Sequence, residues 1–150
     1  MYPITNQIFT ALSLVLCTAT VNAAEIHVNL IDKSETEGML AFEPGFVKAE
    51  INDTIVFTNV SVGHNTHSLL VPAGAQHWQS SFDKEFQVKL TTEGIYLYAC
   101  DAHKRMGMVG VVQVGKAINL DEARKKASEE SATMLMNKDR LTKAFDKVQN

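Results

Sequence analysis

Cysteine is scarce in this chain: Cys17 and Cys100 are the two in 150 residues. A disulfide-dense scaffold is therefore excluded. Proline is almost as rare, with three residues, and the eight glycines show no period, which excludes collagen-like and low-complexity classes. Strong charge of one sign is missing too. The net charge is −3, far from the basic excess that general nucleic-acid binding requires. No apolar run is long enough to span a bilayer as a helix: the longest, about residues 8–17, falls well short of the ~20 residues needed, so stable membrane insertion is not expected.

Lysine and arginine are absent from residues 1–32. There "IFTALSLVLCTATVNA" runs from apolar to small and polar residues, the order of an export signal, and Val21-Asn22-Ala23 offers a cleavage site after about Ala23. The terminal amine alone supplies charge before the apolar run, and a buried N-terminal helix is the alternative reading. Export to the periplasm is the expectation, with residues 1–23 as signal peptide and 24–150 as one domain. Cys17 then leaves with the signal. The mature chain keeps one cysteine, Cys100, which has no internal partner. A free thiol outside the cytoplasm oxidises unless it is buried, used or held by a metal.

Residues 25–115 read as β-structure. "EIHVNLI" alternates Ile26, Val28 and Leu30, and "KEFQVKLT" alternates Phe86, Val88 and Leu90. Pro44-Gly45, Asn52-Asp53, Pro72 with Gly74, and Gly94 punctuate the segments. Seven or eight short strands separated by turns predict an all-β antiparallel sandwich or barrel. After Gly115 the composition changes to helix formers without Gly or Pro. The spacings Leu120, Ala123, Ala127 and Met134, Leu141, Ala144, Phe145 predict two short helices within 117–150, packed on the sandwich. Asn119 or Asp121 is the expected cap of the first, and Asn137 or Asp139 precedes the second. Met134 and Met136 are expected in helix core.

"YLYACDAHKRMGMVGVVQV" carries the chemistry. Cys100 and His103 form Cys-x2-His, and Met108 follows five residues later, on a loop between two predicted strands. A loop that turns back on itself aims its first, middle and last residues at one point. Thiolate, imidazole and thioether together suit copper in both oxidation states, while hard cations find no oxygen ligands. A second histidine must come from elsewhere. His64, in "VSVGHNTHSLLV", is the strongest candidate; His67 is predicted to face away from it, His27 to point outward, and His77 to lie in a polar loop. Two other readings stand beside this one: a copper carrier or chaperone, and a Cys/His nucleophilic enzyme with Asn65 or Asp101 as orienting group.

"EGMLAFEPGFVKAEINDTIVF", "GHN" and "GIYLYACDAHKRMGMVGVVQVG" together resemble the type 1 (blue) copper proteins, the cupredoxin family, and specifically those members with a helical tail. The resemblance covers nearly all of residues 25–150. It implies a Greek-key cupredoxin sandwich of about eight strands with two C-terminal α-helices. It also implies a single type 1 copper held by His64, Cys100, His103 and axial Met108, with Asn65 tying the ligand loops together and Met106 as support. By the same resemblance the protein is a monomeric periplasmic electron carrier and not an enzyme. Its partners would be transient redox proteins, a copper nitrite reductase or a cytochrome, docking around His103 with Lys104 and Arg105 on the rim. This sequence departs from the family in having Asp101-Ala102 before His103, where a proline is expected, and Lys104-Arg105 after it. Its sandwich is also acidic where a basic face is usual: residues 24–115 hold 6 Lys/Arg against 11 Asp/Glu.

Overall fold

Alternating apolar residues give β1 (Glu25–Ser34) its buried face, with Val28 and Leu30 inward and His27 in solvent as predicted. The computed structural model describes residues 23–150; the proposed signal segment and Cys17 lie outside these residues apart from Ala23. The remaining strands are β2 (Gly38–Glu43), β3 (Phe46–Ala49), β4 (Thr54–Asn59), β5 (His67–Leu70), β6 (Phe86–Lys89), β7 (Gly94–Ala99) and β8 (Val109–Val114). Helices α1 (Leu120–Thr133) and α2 (Arg140–Phe145) follow.

The strands form two four-stranded sheets, ordered β2-β1-β4-β6 and β3-β8-β7-β5. The sheets are mixed, which corrects the antiparallel expectation: β1 runs parallel to β4 and β3 parallel to β8. Period-2 alternation reports which face of a strand is buried and is the same for either neighbour direction. The direction is set by the long connections, which local sequence does not encode.

Between the sheets lies an aromatic core. Phe42, Phe57 and Tyr98 meet edge to face, with ring centroids 4.8–6.1 Å apart. Strands β7 and β8 are buried along their whole length because both faces are covered. Tyr96, Tyr98 and Cys100 face the core between the sheets. Ile95, Leu97 and Ala99 face the two helices, where Ala123, Met134, Leu141 and Phe145 cover them. Asn119 occupies the N-cap of α1, yet its side chain makes no cap bond. Its Oδ1 accepts from Ile95 N (2.7 Å) and its Nδ2 donates to Ile95 O (3.0 Å), fastening the helix start to β7. Met134 is buried as expected, but Met136 is exposed in the turn between the helices. No helix among the described residues is long and apolar enough to cross a membrane.

Charge also fastens the tail. Glu130 is buried on α1, with Lys126 Nζ 2.8 Å and Lys104 Nζ 3.3 Å away. Burial pushes its carboxyl up, but the two ammonium groups win and hold it below its usual value of 4.5. A depressed carboxylate contributes stability above the unfolded-state pKa and loses it as pH falls through the folded one. Acidification below 4.5 is therefore expected to loosen α1 from the loop that carries Lys104. Amide exchange in the 104–107 segment should accelerate there in wild type. A Glu130→Gln variant should show no such acid-dependent step.

Candidate metal centre

Inward alternation along β7 continues one residue past the strand and delivers Cys100 to the core edge, fully buried. The chain then turns, and His103 comes back over the thiol through the bond from His103 N to Cys100 O (3.2 Å). The described residues contain one group of three close metal-binding side chains, His64, Cys100 and His103, with donor atoms within 4.8 Å of one another. Their separations are 3.2 Å between the two Nδ1 atoms, 3.6 Å from Sγ to His103 Nδ1 and 3.9 Å from Sγ to His64 Nδ1. A point equidistant from the corners of that triangle lies about 2.1 Å from each. Metal bonds to imidazole nitrogen are about 2.0–2.1 Å and to thiolate about 2.3 Å for zinc, so a metal of that size fits between the donors. Two imidazoles and a thiolate form the trigonal set of a blue-copper site.

His64 is completely buried, and its loop is held by a residue the sequence reading did not single out. Asp83, itself at φ +58°, accepts from Gly63 N (2.6 Å) and donates its own N–H to His64 O (2.9 Å). A second carboxylate, Asp32 at the end of β1, sits 3.0 Å from His64 Nε2. With the Nε2 proton shared to Asp32, the Nδ1 lone pair is free to face the thiol. Ligand-backing carboxylates raise the basicity of the imidazole, which favours the higher oxidation state of a bound metal. Asp32→Asn is accordingly expected to weaken Cu(II) binding by about tenfold with little change for Cu(I). That difference corresponds to a potential raised by about 59 mV, measurable by redox titration. Burial, joined by the neighbouring His64 ring and opposed by Asp32, holds His103 below the ordinary histidine value. Neutral imidazole is the form that binds a metal.

A polar lattice joins the two loops, as the resemblance implies for Asn65. Asn65 Oδ1 accepts from Asp101 N (2.9 Å), and its Nδ2 donates to Asp101 Oδ2 (2.6 Å). Gln79 Nε2 donates to the same carboxylate at 3.1 Å. His67, at the start of β5, places Nδ1 2.8 Å from Asp101 Oδ1, too poorly aligned for a hydrogen bond. His67 is therefore engaged by the lattice and is not in the donor triangle. His77 lies apart, against Ser68 Oγ.

Met108 is fully buried in the same cluster as Cys100. Its N–H donates to His103 O and its carbonyl accepts from Cys100 N, both at 3.1 Å, so the backbones of these three residues interlock. Met106 is 40% exposed on a single 3₁₀ turn (Lys104–Met106). The residues missed from sequence were Asp32 and Asp83. Asp83 had one usable signal, an Asx residue beside a loop; nothing local marks Asp32, because its partner lies 32 residues away.

Comparison with known proteins agrees with this geometry. The family model for copper-binding proteins of the plastocyanin/azurin family matches residues 29–115. Pseudoazurin of Paracoccus pantotrophus is 38% identical over 105 residues, covering 68% of this chain and 72% of its own. Pseudoazurin of Methylorubrum extorquens is 35% identical over 105 residues, covering 68% and 70%. The crystal structure of native pseudoazurin from Hyphomicrobium denitrificans superposes with a TM-score of 0.76 at 34% identity, over 84% of this chain and 99% of that one. The match extends through the helical tail, which the family model, ending at residue 115, does not cover. With this fold, donor set and likeness, the chain belongs to the plastocyanin/azurin family of copper-binding proteins, the cupredoxins.

Proposed function

We propose that His64, Cys100, His103 and Met108 hold a single type 1 copper and that the protein is an exported, monomeric electron carrier. The observation that carries this reading is the donor triangle, whose centre lies at bonding distance from one thiolate and two imidazoles. Copper would supply one-electron chemistry there, cycling between Cu(II) and Cu(I). The chain supplies a frame that does not move. Three of the four donors, His64, Cys100 and Met108, are completely buried, and the loops bearing them are held through Asn65–Asp101 and Asp83. Cys100 is fully buried, and the wide groove lined by His77, Trp78, Gln87 and Tyr96 does not include it. Asn65 and Asp101 are bonded to each other. Both facts favour a carrier over the Cys/His enzyme reading.

His103 is the donor nearest solvent and serves as the exit for electrons. Around its loop Met39, Met106, Leu135 and Met136 present apolar surface for transient docking of a redox protein, such as a copper nitrite reductase or a cytochrome. Lys104 is drawn to Glu130, which leaves exposed Arg105 to steer encounter. Residues 1–23 direct export to the periplasm and residues 24–150 form the single working domain.

Voltammetry on the copper-loaded protein tests this reading, with one reversible one-electron wave expected. Met108→Leu should move the potential and Met106→Leu should leave it in place. The reverse pattern would identify Met106 as axial ligand, and an irreversible wave would argue against a carrier.

A further inference from the structure

The segment between His103 and Met108 is gripped, residue after residue, by the helical tail. Lys104 Nζ reaches Glu130 Oε2 at 3.3 Å. Arg105 O accepts from Leu135 N at 2.7 Å, and Met106 O from Asn137 Nδ2 at 2.9 Å. Gly107 O accepts from Arg140 Nη1. Arg140 is buried, and its guanidinium is spent wholly on main-chain carbonyls. Besides Gly107 it donates to Leu40 O (2.7 Å), Glu37 O (2.8 Å) and Met39 O (3.0 Å). One side chain thus ties the ligand loop to the β1–β2 hairpin.

Backbone strain gathers at the same place. Leu40 has φ +50° and Asn137 φ +49°, and Leu40 is the one positive-φ residue among those described that is neither Gly, Asn nor Asp. A bulky residue in this region costs about 1–3 kcal/mol and persists only where its surroundings hold it. Arg140 does so by bonding its carbonyl, and the Leu40 side chain packs on the cluster containing Cys100 and Met108. Gly107, at φ +78°, has no room for a side chain: a Cβ there would lie 2.7 Å from Asn137 Cβ and 2.8 Å from Met136 O.

We propose that the tail, through Arg140, is a positioning device that holds the 103–108 loop and so fixes how closely Met108 approaches the other three donors. This rests on the metal-centre reading above. A bound metal attracts its donors, and a loop free to respond closes on it. The four contacts would limit that closure, so that the chain and not the metal would set where the Met108 thioether stands relative to His64, Cys100 and His103. Arg140 itself is no ligand and acts only through Gly107 and Leu40.

The test compares Arg140→Lys with Leu141→Ala, a neighbouring core change in α2 that lowers stability while leaving all four contacts to the loop in place. Lysine keeps the charge but cannot serve carbonyls on both sides of the joint. In the copper-free proteins, Arg140→Lys should speed amide exchange at Cys100 and Met108 at least tenfold beyond any effect on global stability. In the copper-loaded proteins it should shift intensity between the thiolate charge-transfer bands. It should also lower the potential, by about 59 mV for a tenfold gain in Cu(II) over Cu(I) affinity. Leu141→Ala should lower Tm but leave spectrum and potential unchanged. Should Arg140→Lys fail to fold, Asn137→Ala releases Met106 O from the exposed side and should act in the same direction. Equal spectral shifts for Arg140→Lys and Leu141→Ala, or none for either, overturn the proposal. A wild-type protein that develops no thiolate-to-copper absorption overturns the metal-centre reading instead.

Discussion

Cys100→Ser is expected to abolish the intense visible absorption of the copper-loaded protein and to lower copper affinity at least about 100-fold, more than loss of an outer-shell partner does. The thiolate is the donor that makes the site soft, and its charge offsets that of the metal in a fully buried position. Serine is close in size, but its hydroxyl remains protonated and binds Cu(I) poorly. The fold should survive: among the described residues the Cys100 side chain makes no hydrogen bond except its contacts with the two imidazoles. The copper-free variant is thus predicted to match wild type in circular dichroism and to lie close to it in thermal midpoint. Retention of the colour would mean that the absorbing thiolate–metal bond lies elsewhere.

Gly110→Ala is expected to be the most damaging single-atom change to stability. Gly110 lies directly across from Tyr98 in the β7–β8 pairing, and the Tyr98 ring lies across its Cα. An added Cβ would stand 2.3 Å from Tyr98 Cζ and 2.4 Å from its Oη. Tyr98 cannot yield, since it is fully buried and packed edge to face on Phe42 and Phe57. Overpacking of this kind costs about 3 kcal/mol. For a domain of this size that lowers Tm by roughly 10 °C. A double-mutant cycle separates a clash from a general strand effect. Tyr98→Leu alone leaves a cavity, but combined with Gly110→Ala the added methyl has space, so the two penalties should fall short of their sum by about 1 kcal/mol or more. Additive penalties would show that Tyr98 is not what excludes alanine.

The strands were legible because period-2 alternation is local. The helices were legible from composition and spacing after Gly115. What alternation does not hold is the direction of a strand's neighbour, which is why the parallel β1–β4 and β3–β8 pairs were missed. The donor triangle was partly legible for a related reason: Cys100 and His103 share one short loop, so their spacing already places them near each other, and His64 stood out by its place at a strand junction. The supports of the site did not read, being long-range by nature. Asp32 meets His64 across 32 residues, and Arg140 meets Gly107 and Leu40 across 33 and 100. The pairing of Lys104 with Glu130 did not read for the same reason: the two lie 26 residues apart, and in sequence Lys104 is a surface charge beside His103.

Titration of the purified chain, residues 24–150, with Cu(II) while following visible absorption tests the central claim most directly. The donor triangle predicts intense thiolate-to-copper absorption that rises linearly to one equivalent, stops there, bleaches on one-electron reduction and returns on reoxidation. A protein that stays colourless with its thiol still reactive, or one that colours without saturating at one equivalent, would contradict a single copper held by His64, Cys100, His103 and Met108.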